Sequence, residues 1–208
     1  MRHTEWIHFG CGRCAPEEWS NYDSSPSLRL EKLPLIGGLV PTGPYGRFPM
    51  NVLYGDIVRG LQVAPGTVDL LYCSHVLEHL SLADLRTALR NCHDMLRKGG
   101  VFRLVLPDIE YMIDQYRNDG SEQAALRFME NTLLGQKTRV RGFRGFVRSW
   151  LGNSHHLWMW DYKAFAAELR AAGFSNVRRA GYNDSHHEAF RLVETPDRWD
   201  HELGIECS

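Results

Sequence analysis

The chain has 208 residues, 43% hydrophobic and 24% charged, with a formal net charge of -1 at pH 7. That length suits one domain, 1–208, with room for an insertion. Near-neutrality excludes a global field for nucleic acid, and no apolar run approaches the roughly 20 residues that a membrane-spanning helix needs. The N-terminal MRHTEWIHFG has no apolar h-region and no small-residue cleavage site, so a cytoplasmic location is expected. The five cysteines, Cys11, Cys14, Cys73, Cys92 and Cys207, are odd in number and mostly in apolar surroundings, which fits reduced thiols.

Trp6–Phe9 reads as a short strand ending at Gly10, and Trp19–Asp23 as a second. The Pro- and Gly-rich stretch 24–49 supports no helical period and predicts an ordered loop. Met50–Asp56 is a third strand and Val68–Cys73 a buried fourth. Ser81 can cap a helix over Leu82–Arg97, with Leu82, Leu85, Leu89 and Leu96 on one face. Lys98-Gly99-Gly100 predicts its end, with a left-handed cap, and Val101–Asp108 the next strand. This strand–helix–strand run is a right-handed βαβ crossover, so the sheet is mostly parallel. Residues 109–160 read as an insertion with helices over Ile109–Tyr116 and Glu122–Leu134. Asp161 caps a further helix that ends at Gly173, and Asn176–Tyr182 and Leu203–Ser208 close the chain as strands.

The stretch IHFGCGRCAP carries two overlapping signals. Cys11 and Cys14 form a C-x-x-C, but no second pair completes a zinc site, and Pro16 gives a turn where a redox dithiol wants a helix start. Gly10 and Gly12 form a G-x-G after a strand, which lets a nucleotide approach the backbone. HVLEH, His75–His79, matches the inverted zinc-protease pattern, yet it follows a buried strand at the sheet edge where nucleotide-like ligands bind. Its histidines are also read as facing a pocket or capping backbone groups. Asp23, Asp56 and Asp108 each follow a strand, where a carboxylate can serve a ribose diol or an amine, or simply a turn. Lys137, Arg139, Arg141, Arg144 and Arg148 interleave with Phe143, Phe146 and Trp150, a pattern that can bind phosphates or sugars, or solvate a loop.

Taken in order, IHFGCG, NYD, GDI, VDLLYCSHVLEHL and LRKGGVFRLVLPD resemble the class I S-adenosylmethionine-dependent methyltransferases, most of all the methyltransferase type 11 group. HLWMWDYKAFAAELRAAGF is similar to a C-terminal helix of that group. The resemblance covers most of the chain and leaves 109–150 unassigned. It implies an α/β, Rossmann-like, mostly parallel seven-stranded sheet with the last strand antiparallel. Phe9, Gly10, Cys11 and Gly12 would meet the methionine part of S-adenosylmethionine, and Asp23 the ribose hydroxyls. Asp56 would accept from the adenine amine with the Ile57 amide beside it, and Ser74 and His75 would stand beside the sulfonium.

Three departures reduce the N-terminal helices. Cys14 replaces the third glycine, only eleven positions separate Gly12 from Asp23, and the helix after the second strand is replaced by the Pro/Gly loop. His75, Asp108, His155 and His156 are the candidate bases for methylating a hydroxyl of a small-molecule or glycan acceptor, anionic on account of the basic stretch. The insertion is expected to shape the acceptor pocket. No nucleic acid partner and no metal are expected on this reading. The alternatives are a metal-dependent hydrolase using His75, Glu78 and His79, and a cofactor-binding module without catalysis.

Overall fold

The computed structural model describes residues 5–34, 37, 46–137 and 155–208. Its strands are β1 (Glu5–Phe9), β2 (Ser20–Asp23), β3 (Val52–Tyr54), β4 (Val68–Ser74), β5 (Leu96–Leu106), β6 (Arg178–Ala180) and β7 (Leu203–Cys207). They form one sheet in the order β3-β2-β1-β4-β5-β7-β6. Strands β1 to β5 pair in parallel, and β7 runs antiparallel to both β5 and β6. The helices are α1 (Pro26–Glu31), α2 (Leu82–Met95), α3 (Ile109–Asn118), α4 (Ala124–Asn131) and α5 (Tyr162–Ala171).

Two expectations change. The stretch 24–49 is not wholly loop. Pro26 opens α1, where its missing N–H costs nothing, and Leu28 is buried against Cys11 and Val52. Helix α2 stops at Met95 rather than Arg97, with no left-handed cap. Leu96 is already extended, and the carbonyls of Asp94 and Met95 accept from Gly66 and Thr67 N–H, which serve as the cap. Gly99 does adopt a φ of +76°, but inside the first turn-like residues of β5.

One face of the sheet follows ordinary α/β logic. Ile7, Phe9, Leu71, Cys73, Phe102, Leu104 and Ile205 pack on Leu85, Leu89 and Cys92 of α2 and on Phe165 and Leu169 of α5. No helix separates β1 from β2, as expected, so the other face would lie bare. The long β6–β7 connection covers it instead. Phe190, Val193 and Trp199, carried on 3-10 turns Glu188–Leu192 and Pro196–Arg198, pack on Trp19, Leu70, Tyr72 and Val105.

Arg103 of β5 pins this cover to the sheet. It is fully buried and donates to the Glu194 carboxylate, to Asp184 (2.8 Å), to Glu206 (3.2 Å) and to the Gly181 carbonyl (2.6 Å). Its guanidinium also lies 4.4 Å from the Trp199 ring centre.

Candidate functional site

The C-terminal ends of β1, β2 and β4 converge on one edge. After β1 the chain turns through Gly10 (φ +63°) and Gly12 (φ +55°), conformations that favour glycine. A Cβ on Gly10 would lie 2.1 Å from Val76 Cγ2, whereas one on Gly12 would meet nothing within 4 Å among the described residues. The loop is therefore sealed on the Gly10 side and open at Gly12. Asp23, at the end of β2, closes it. Its Oδ2 accepts from Gly12 N–H (2.9 Å) and its Oδ1 from Ser25 N–H (2.8 Å). Asp56 sits in a turn of its own, accepting from Val58 N–H (2.9 Å), with Ile57 buried beside it.

The cysteines of this loop are free. Burial, aided by the nearby Asp23 and Cys14 charges, pushes the Cys11 thiol up to about 12, and burial raises Cys14 as well. Neither is poised as a nucleophile or metal-binding thiolate.

At the end of β4, Ser74 is held by Arg198. The guanidinium donates to Ser74 Oγ (2.7 Å) and to its carbonyl (2.9 Å). His75 follows at φ +54°, an uncommon conformation for a non-glycine residue and one that clusters at functional sites. It lifts the chain out of the sheet into the 3-10 turn Leu77–His79. The histidines of HVLEH are therefore not stacked on an α-helical face.

Glu78 lies at the centre of that turn, fully buried, and among the described residues neither carboxylate oxygen has a hydrogen-bond partner. Three imidazoles ring its Oε1: His75 Nδ1 at 3.5 Å, His79 Nε2 at 3.8 Å and His156 Nε2 at 3.9 Å. Main-chain bonds bring His156 there. The Glu78 carbonyl accepts from Leu157 N–H (2.8 Å) and Trp158 N–H (3.1 Å), and Ile109 N–H bonds the Trp160 carbonyl (3.0 Å). The return from the insertion is thus stitched to the ends of both β4 and β5.

The electrostatics differ from ring to ring. Burial alone would lower the His75 pKa, but the Glu78 carboxylate 3.5 Å from its Nδ1 outweighs it and raises the value. Burial lowers His156 despite the Glu78 charge, and His79 adds to the lowering. Burial also raises Glu202, which is within electrostatic reach of His75 and Glu78.

The structure thus brings Phe9–Gly12 and Asp23 into one loop cluster, and Ser74, His75 and His156 into a second at the end of β4. Asp108 stands apart in role: its Oδ1 caps α3 through Glu110 N–H (2.9 Å), and its Oδ2 faces Arg179 at 3.5 Å. Among the described residues the exposed ring of His155 reaches the Leu133 carbonyl (3.4 Å). Lys137 pairs with Glu130 at 2.8 Å, and the basic stretch from Arg139 to Arg148 lies outside the described residues. Sequence reasoning missed Arg198 and Glu202. Both lie in the β6–β7 connection, where no local pattern marks them.

Residues 42–104 match the family model described as a methyltransferase domain. No curated protein sequence matches the chain. A SAM-dependent methyltransferase from Archaeoglobus fulgidus superposes with a TM-score of 0.52 at 14% identity, over 98% of this chain and 85% of that one. One from Thermotoga maritima gives 0.52 at 15% identity, over 98% and 81%. The structure described as PigF with SAH gives 0.50 at 17% identity, over 99% of this chain but only 56% of that one, so this chain spans little more than half its length. At such identities the likeness is one of fold, and the matched central segment adds the family signature. Strand order and the antiparallel β7 are shared with the fold of these S-adenosylmethionine-dependent methyltransferases, and residues 42–104 match a methyltransferase-domain model.

Proposed function

We propose that this chain holds S-adenosylmethionine against the Gly10–Gly12 loop and directs methyl transfer to a hydroxyl of a small-molecule or glycan acceptor. The observation that carries the reading is the adjacency of two clusters: Val76, which packs on Gly10, lies one residue after His75 and two before Glu78. The loop open at Gly12 supports backbone approach of the cofactor, and Asp23 stands ready to exchange a backbone partner for the ribose hydroxyls.

A sulfonium methyl needs alignment and removal of the acceptor's proton. Alignment of bound reactants can supply roughly 7–11 kcal/mol. His75 is the candidate base. Its Nε2 faces the Arg198 carbonyl at 3.2 Å, a pure acceptor, so Nε2 carries the hydrogen and Nδ1 the lone pair. A proton taken at Nδ1 is stabilised by Glu78, 3.5 Å away. Such a base contributes about 10²–10⁴-fold. Asp108 is engaged as a helix cap and His155 points away, so neither is assigned this role. The basic stretch from Lys137 to Arg148, read from the sequence, favours an anionic acceptor.

The test is calorimetry with S-adenosylhomocysteine, followed by radiolabelled methyl transfer to a panel of sugars, sugar phosphates and phenols. Binding with turnover that falls in His75→Ala, at unchanged cofactor affinity, supports the reading. Absence of heat at millimolar ligand overturns it.

A further inference from the structure

We propose that Glu78, His79 and His156 form a binding site for a divalent transition ion, with zinc as its simplest occupant, placed to take an oxygen of the acceptor. The ligand atoms of these three residues all lie within 4.8 Å of one another. Zinc bonds of roughly 2.1 Å in tetrahedral array put donor atoms about 3.4 Å apart. The observed 3.8 and 3.9 Å from Glu78 Oε1 to the two Nε2 atoms are close to that spacing and too long for hydrogen bonds.

The proton positions argue the same way. His79 Nδ1 lies 3.0 Å from the His155 carbonyl, so Nδ1 donates, and in the neutral ring Nε2 turns a lone pair toward the carboxylate. A lone pair facing an ionised oxygen is repulsive unless a cation lies between them. Glu78 itself is fully buried with both oxygens unpartnered, which a bare carboxylate does not tolerate. The backbone bonds from Leu157 and Trp158 to the Glu78 carbonyl hold the third ligand's segment in place without any metal. Two imidazoles and a carboxylate leave a coordination position open, as in catalytic zinc sites. This set differs from the sequence pattern His75/Glu78/His79: His156 enters it and His75 stays outside.

The proposal rests on the methyl-transfer reading for its consequence. An ion here would bind an acceptor hydroxyl, together with a neighbouring oxygen when the acceptor is a vicinal diol or hydroxy acid, and make the hydroxyl more acidic. The hydroxyl proton passes to His75 Nδ1. The oxygen forms the new O–CH₃ bond, and the electron pair of the broken C–S bond stays on sulfur.

The experiment is zinc and cobalt titration of the whole chain after chelator treatment, by calorimetry, metal analysis and visible absorption. One ion per chain is expected, with the d–d bands of tetrahedral cobalt and no thiolate charge-transfer band. Glu78→Gln and His79→Ala should each weaken binding by at least about tenfold to a hundredfold, the cost of losing even an outer partner. Cys11→Ser/Cys14→Ser should leave it unchanged. If a variant misfolds by circular dichroism, cobalt absorption in the unmutated chain decides between nitrogen/oxygen and sulfur ligands. Substoichiometric metal, a thiolate band, or unchanged binding in Glu78→Gln overturns the site. Cofactor binding is measured separately on the metal-free chain. Absence of cofactor binding there, alongside stoichiometric metal binding in the titration, refutes the methyl-transfer reading but not the site.

Discussion

Val76 occupies the space that any side chain at Gly10 would need, 2.1 Å from an ideal Cβ. The first loop and the turn after β4 are therefore one packed unit, and glycine is demanded at position 10 by contact as well as by its φ of +63°. Gly10→Ala adds overpacking to a left-handed backbone and should cost about 2–4 kcal/mol. Gly12→Ala, facing open space, should cost about 1–2 kcal/mol. Chemical denaturation of both variants and of Gly10→Ala/Val76→Ala checks this. The double variant should recover part of the loss, and strict additivity would show that the Val76 contact is not the cause.

Asp23 is a structural closure of the loop. Asp23→Ala orphans the N–H groups of Gly12 and Ser25, at about 1–3 kcal/mol for each that stays buried. Affinity for S-adenosylhomocysteine should fall at least about tenfold, the loss of a single charge-assisted bond. Cys14→Ala should change stability by no more than about 0.5 kcal/mol, because among the described residues its sulfur reaches the Leu192 and Val193 carbonyls at the long distance of 4.0 Å. Thermal melts with and without ligand measure both effects, and equal affinity losses in the two variants would contradict them.

Arg103 ties the β6–β7 connection to the sheet. Arg103→Met leaves the fully buried Glu194 without its cation, which should cost about 3–5 kcal/mol. Amide exchange should speed up selectively between residues 183 and 202. Arg103→Met/Glu194→Leu should restore much of the stability, since removing both charges avoids the uncompensated one. Uniform loss of protection across the sheet would argue against a local pin.

His8 predicts an acid sensitivity. It is buried between Tyr72 and Trp19 with its Nδ1 unpartnered. Burial, helped by the Arg198 charge, lowers its pKa from 6.5 to about 3. Between those values the unfolded chain binds the proton and the folded chain does not, so stability falls as pH falls. One proton contributes a slope of up to about 1.4 kcal/mol per pH unit. Denaturation of the unmutated chain and His8→Phe from pH 7 to 4 should show a shallower decline in the variant. Parallel curves would mean that His8 titrates normally.

Much of the scaffold was legible from local pattern. Apolar runs such as VDLLYC and VFRLVLP are buried on both faces of a parallel sheet, so they read as strands without tertiary help. Ser81 and Asp161 accept from the third residue after them, Asp84 and Ala164, as helix caps do, and that chemistry is local. The glycines of the first loop were also legible, because a strand followed by G-x-G has few structural uses. Helix α1 was not, because the Pro/Gly content around it masks a single turn whose stability comes from burying Leu28.

Sequence alone determined the order of strands along the chain, the βαβ crossover and the glycine turn at Gly10 and Gly12. Tertiary structure alone decided what gathers around Glu78. His79 is its neighbour in the chain, but His156 is 78 positions away and arrives through two main-chain bonds to the Glu78 carbonyl. Only packing could assign the bare sheet face to Phe190, Val193 and Trp199, and place Arg198 on Ser74. Periodicity and capping report the energy of neighbouring residues. The partners of a buried carboxylate and the cover of a sheet face are set by contacts distant in sequence, where many pairings share one local pattern.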